Sequence, residues 1–168
     1  MVSGRSVNVD LPSVKERLRE IEADLADRQW VVFDSFVRDG RSLHVAVTDR
    51  LRKRSRKDGV WKSREMCATL KNAAYGFEER LARSVGGRDG IFLLDRSFRP
   101  ANEMMRKLFD RFLDKPGSEA AAIAESLGVA LTDLLPVRLV SHHMRLLGVL
   151  ARKDEGDWLV LVDCDRSK

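Results

Sequence analysis

Two blocks of β-forming residues, at 30–47 and 137–162, enclose a long middle stretch whose apolar residues recur at helical spacing. Strands grouped at two places, instead of alternating one by one with helices, predict an α+β domain rather than a parallel α/β sheet. The first block reads Trp30, Val31, Val32, Phe33, Phe36 and Val37, then Asp39-Gly40, then Leu43, Val45 and Val47 alternating with His44 and Ala46. An Asp-Gly link between two such runs is a β-hairpin signal. The rival is a pair of helices broken at Gly40, because Val32, Phe33, Phe36 and Val37 also fit helical spacing. In the second block, Val137 to Val140, Met144 to Ala151 and Trp158 to Val162, with a turn at Asp154 to Asp157, predict a C-terminal antiparallel β-meander.

Helices account for most of the rest. Ser13 opens a capping box with Glu16, and Val14, Leu18, Ile21 and Leu25 form one apolar stripe of an N-terminal helix from 13 to about 28. Residues 1–10 are polar and expected to be flexible, leaving 11–168 as a single domain, the number that 168 residues favour. Ser63 begins a central helix lined by Met66, Leu70, Ala74, Phe77 and Leu81 and stopped at Gly86-Gly87. Ile91 to Leu94 reads as a short buried strand. Pro100 fits the first turn of a further helix, whose face pairs Met104/Met105, Leu108/Phe109 and Phe112/Leu113. Two short helices follow, Ser118 to Leu127 and Leu131 to Leu135, the second meeting Pro136.

Charge is the most informative functional feature. The net charge is +5, from 31 Lys and Arg against 26 Asp and Glu. Between Arg50 and Arg64 lie eight cations, Arg50, Arg52, Lys53, Arg54, Arg56, Lys57, Lys62 and Arg64, opposed only by Asp58. That window carries +7, so the other 153 residues sum to −2. A near-neutral body with one basic segment attracts polyanions, because phosphates neutralised by Lys and Arg release condensed counterions. Arginine suits forked contacts to phosphate oxygens, and Trp61 supplies an aromatic ring for stacking on a base. Contact of about five cations with phosphates would give a salt slope of about −4.5. The expected function is therefore binding of nucleic acid, DNA or RNA, through Arg50, Arg52, Lys53, Arg54, Arg56, Lys57, Trp61, Lys62 and Arg64. The plainer reading is a solvated loop or helix face kept charged for solubility.

A second feature lies at 118–137. Ile123-Ala124-Glu125-Ser126-Leu127-Gly128-Val129, followed by Leu134, resembles the core of a helix-turn-helix. Ala124 is the small residue where two helices cross, Gly128 the turn, and Leu134 the apolar anchor of the second helix. The resemblance implies a DNA-reading second helix, with the hairpin from Met144 to Val162 as a wing. Against this, Pro136 limits that helix to little more than a turn, and Ala130, Thr132 and Asp133 bring no cation. A plain packing corner is favoured.

Enzyme readings are thinner. Adjacent residues on a strand point to opposite faces, so His142 and His143 cannot share a metal, and no Cys-x-x-Cys or His-x-x-x-His spacing is present. A two-residue hairpin loop would set Ser35 opposite His44, but Asp34 would project to the other face, so no triad forms. Cys67 lies close to Lys62 and Arg64, which would lower its pKa, although a half-buried place beside the helix's apolar face is the favoured fate. Gly86-Gly87-Arg88-Asp89-Gly90 matches neither a Walker loop nor a dinucleotide fingerprint, so no cofactor is expected. The alternative to nucleic-acid binding is an interaction or assembly subunit forming homo-oligomers through apolar helical faces; a small hydrolase or metal-dependent enzyme is the third. Two cysteines, Cys67 and Cys164, make no disulfide framework. No apolar run approaches the roughly 20 residues of a membrane span, and the N-terminus has no apolar block. A cytoplasmic protein with no membrane partner is expected.

Overall fold

The computed structural model describes residues 11–38, 40–57, 59–61, 63–71, 90–93, 119–140 and 144–166. The predicted helix after Pro100, most of the helix after Ser63, and the pair His142-His143 fall outside them.

One six-stranded mixed sheet organises the chain, in the order β1-β2-β6-β5-β4-β3. The strands are β1 (Trp30–Arg38), β2 (Arg41–Thr48), β3 (Gly90–Leu93), β4 (Leu135–Val140), β5 (Met144–Lys153) and β6 (Gly156–Arg166). The α+β class follows, and both strand blocks are antiparallel within themselves. Their junction was not foreseen: β2 pairs with β6 in parallel, from Ser42 opposite Gly156 to Val47 opposite Leu161. Parallel partners need a long crossover, and almost the whole middle of the chain supplies it.

The hairpin reading of 30–47 is correct and the two-helix rival is not. Gly40 has φ 77°, a left-handed conformation that Gly adopts without strain. Ile91 and its neighbours do form a strand, β3, at the sheet's edge beside β4.

Alternation along the strands divides the core in two. On one face, Val45 and Val47 of β2 and Leu159 and Leu161 of β6 pack under three helices. These are α1 (Leu11–Leu25), α2 (Asp49–Lys57) and α3, described over 64–71. The predicted stripe Val14, Leu18, Ile21 and Leu25 is the buried side of α1, and Leu51, Met66 and Leu70 are fully buried beside it. Ser63 caps α3, its Oγ accepting the Met66 N–H at 3.2 Å.

On the opposite face, Ala46, Val149, Ala151 and Val160 pack against Ala120, Ile123, Ala124 and Leu127 of α4 (Glu119–Leu127).

The second helix that the resemblance implied, expected from Leu131 to Leu135, does not form, in keeping with the packing corner favoured on sequence. After Gly128 the chain makes only a three-residue 3-10 turn, Leu131–Asp133, and then enters β4. Leu134 anchors the corner in the core as its pattern demanded, but no second helix exists to read a groove. Pro136 sits within β4, opposite Val149 of β5 and beyond the last β4 residue that β3 pairs, Val137. There its missing N–H breaks no β3–β4 pairing among the described residues. The segment expected to be a wing forms β5 and β6, two inner strands of the sheet.

Candidate functional site

The basic segment folds into α2 and the turn that follows it. Thr48 caps the helix: its Oγ1 accepts the Leu51 N–H at 3.1 Å and donates to the Leu161 carbonyl at 3.1 Å. Asp49 stands in the first turn and Arg54, Arg56 and Lys57 in the last, the charge order that a helix dipole favours.

Helical spacing then sorts the cations onto two faces. Leu51 and Ser55, four apart, turn into the core. Arg52 and Arg56, also four apart, face α1, where Glu22 lies 4.0 Å from Arg52 and 3.0 Å from Arg56. Arg50, Lys53, Arg54 and Lys57, at i, i+3, i+4 and i+7, line an open cleft of about 690 Å³. The α1–β1 connection, including Asp27 and Arg28, forms another wall, while Trp30, Glu119, Ile123 and Asp163 complete it.

Not all these charges are available to a ligand. Arg50 is a tie: Nη1 lies 2.8 Å from Glu119 Oε1 and Nε 3.3 Å from Asp163 Oδ2, joining α2 to α4 and β6. Asp163 is buried, and burial pushes its carboxyl above the usual value, against the Cys164 N–H, Arg50 and Arg54. Asp49 is the reverse case. Burial pushes it up, but hydrogen bonds from Arg52 and Lys53 together with their charges outweigh that and hold it below the usual value. Lys53 meets Asp49 at 3.0 Å yet leaves 71% of its side chain exposed. Lys57, Arg28 and Arg64 are exposed, Arg64 on α3 away from the residues lining the cleft. Lys62 lies outside the described residues.

Trp61 is not a stacking residue. After Lys57 the chain doubles back, with the N–H groups of Val60 and Trp61 both donating to the Ser55 carbonyl at 2.6 and 3.0 Å. That turn drives Val60 and Trp61 into the core under α1, and Trp61 is 8% exposed. The aromatic ring beside the cations is instead Trp30, partly buried, with its centroid 5.5 Å from that of Trp158 at 79°.

The Ser35 and His44 pairing occurs as expected, Oγ to Nδ1 at 2.7 Å, and burial lowers the His44 pKa. Asp34 does not complete a triad. It pairs with Val45, whose side chain lies in the α1-side core, and its Oδ1 accepts the Ser35 N–H at 2.8 Å. The His44 ring instead packs 4.3 Å from Trp158. Cys67 is fully buried, and burial raises its thiol pKa against the weaker pull of Lys15, the opposite of activation. Among the described residues no group of three His, Cys, Asp or Glu is placed to hold a metal ion, and no helix is long and apolar enough to cross a membrane.

Comparison with protein-family models, with curated proteins and with solved structures finds no match to this chain.

Proposed function

We propose that this protein binds nucleic acid, DNA or RNA, through phosphate contacts from the cleft-facing side of α2, as a binding protein rather than an enzyme. One observation carries the reading: four of the segment's cations share a helix face that opens on a cleft, with Arg28 on the facing connection. Phosphate oxygens need donors held at fixed positions, and a helix anchored by Thr48, Leu51 and Ser55 holds them. Lys53, Lys57 and Arg28 are the main contributors, with Arg54 behind them. Arg52 and Arg56 contribute less, because they face Glu22 of α1 and not the cleft, whereas Lys53 lines the cleft and stays 71% exposed beside Asp49. Such contacts position a nucleic acid without discriminating its sequence.

The test is fluorescence anisotropy with labelled DNA and RNA at low salt. Lys53→Ala/Lys57→Ala should weaken binding by at least about ten-fold and flatten the salt slope by about two. Arg52→Ala/Arg56→Ala should weaken it less. Equal losses in the two variants, or no binding by the wild type at 50 mM salt, would sink the proposal.

A further inference from the structure

The cleft holds more than charge. Trp30 and Ile123 give it an apolar wall, and its volume of about 690 Å³ lies within the range of small-molecule sites. A T-shaped ring pair uses the edge of one ring and one face of the other. Whichever role Trp30 plays against Trp158, at least one of its two faces is therefore not covered by that partner. Arg28 is two residues from Trp30 in the chain, and Lys53 and Lys57 enter from α2, so cations and ring line a single opening.

The lining carries five cations, Arg28, Arg50, Lys53, Arg54 and Lys57. Against them stand four carboxylates, Asp27, Asp49, Glu119 and Asp163. Three of these already have cations: Asp49 holds Arg52 and Lys53, while Glu119 and Asp163 share Arg50. The cleft thus keeps a cationic excess at its exposed side and its apolar surface beside it. A ligand that matches has a flat aromatic body joined to a phosphate.

We infer that the cleft seats one unpaired nucleotide of a single strand, its base against Trp30 and its phosphate among Arg28, Lys53 and Lys57. This rests on the nucleic-acid reading and sharpens it to a strand preference. A base inside a duplex is stacked on both sides and cannot reach Trp30, whereas a single strand offers a free base face.

The deciding experiment compares a labelled 12-nucleotide single strand with the 12-base-pair duplex of the same sequence, for wild type, Trp30→Phe and Trp30→Leu. Wild type should prefer the single strand by about ten-fold. Trp30→Leu, which fills space but cannot stack, should lose at least about five-fold on the single strand and little on the duplex. Trp30→Phe, which keeps a ring, should restore most of the loss. Should Trp30→Leu fail to fold by circular dichroism, the wild-type ratio and the comparison of wild type with Trp30→Phe decide the matter. Equal affinity of wild type for single strand and duplex overturns the cleft inference while leaving the nucleic-acid reading standing. A single-strand preference that Trp30→Leu retains also overturns it. Binding of neither ligand removes both.

Discussion

Asp163 shows how a single residue can cost stability in one partner's absence and little in its presence. Its side chain is 7% exposed, and its folded-state pKa is raised by burial, so folding favours the protonated form. The folded chain then binds more protons than the unfolded one between the two pKa values. Stability from this residue therefore falls as pH rises through that window, the reverse of Asp49, whose lowered pKa supports the fold above the unfolded value and whose contribution is lost on acidification. Arg50 limits the Asp163 cost. Arg50→Ala should destabilise the protein by about 1–3 kcal/mol at pH 7, because it leaves a buried carboxylate with only the Cys164 N–H and the charge of Arg54. Asp163→Asn should change stability by less than about 1 kcal/mol, since an amide oxygen still accepts the Cys164 N–H and Arg50 retains Glu119. Urea denaturation measures both, and the double variant should recover part of the Arg50→Ala loss. The Arg50→Ala deficit should shrink on acidification, as protonation of Asp163 removes the buried charge that has lost Arg50. A deficit that grows on acidification would refute this account.

At the scale of elements, the most exposed weakness is β1, an edge strand with a register irregularity between Val32 and Asp34. Arg17 of α1 closes it: Nη2 donates to the Val32 carbonyl at 2.9 Å and Nε to the Phe33 carbonyl at 3.0 Å. A planar guanidinium can serve two neighbouring carbonyls where a lysine ammonium would serve one well. Arg17→Ala should therefore cost about 1–2 kcal/mol, with Arg17→Lys between it and wild type, as read from the urea midpoint. An unchanged midpoint would show that the bulge needs no such support. The elements that were legible in the sequence are those whose signals are local. The α1 stripe, the Asp39-Gly40 turn with Ser35 opposite His44, and the antiparallel meander each need only neighbouring residues to be read. The α2 helix was hidden because apolar periodicity is the usual guide, and only Leu51 and Ser55 face the core; its signal lay in the cations at 50, 53, 54 and 57 after the cap Thr48. Trp61 within a segment of eight cations looked like part of a binding surface, and only the turn closed by the Ser55 carbonyl sends it inward. The pairing of β2 with β6 and the arrival of Trp30 beside α2 come from contacts between distant segments, which no local pattern encodes.

For the molecule as a whole, the sheet decides how much of the basic segment faces outward. Eight cations between Arg50 and Arg64 would give a salt slope of about −7 if every one met a phosphate. The fold subtracts from that number. Arg50 is tied to Glu119 and Asp163, and Arg52 and Arg56 lie against Glu22. Arg64 is on another helix, away from the cleft lining. Lys53 and Lys57 remain on the open face, joined by Arg28 from outside the segment. About three phosphate contacts then correspond to a slope near −2.7, or a loss of about forty-fold in affinity between 50 and 200 mM salt. The remaining 153 residues sum to −2, so apart from Arg28 they carry no net cationic excess that would steepen the slope. Anisotropy titrations at four or five salt concentrations measure this directly. A slope near −2.7 would mean that the ion pairs of Arg50 with Glu119 and Asp163, and of Arg52 and Arg56 with Glu22, persist in the complex. A slope of −4.5 or steeper would contradict that account, because it calls for about two further cations of the segment, Arg54 on the cleft lining or Arg52 and Arg56 drawn from Glu22.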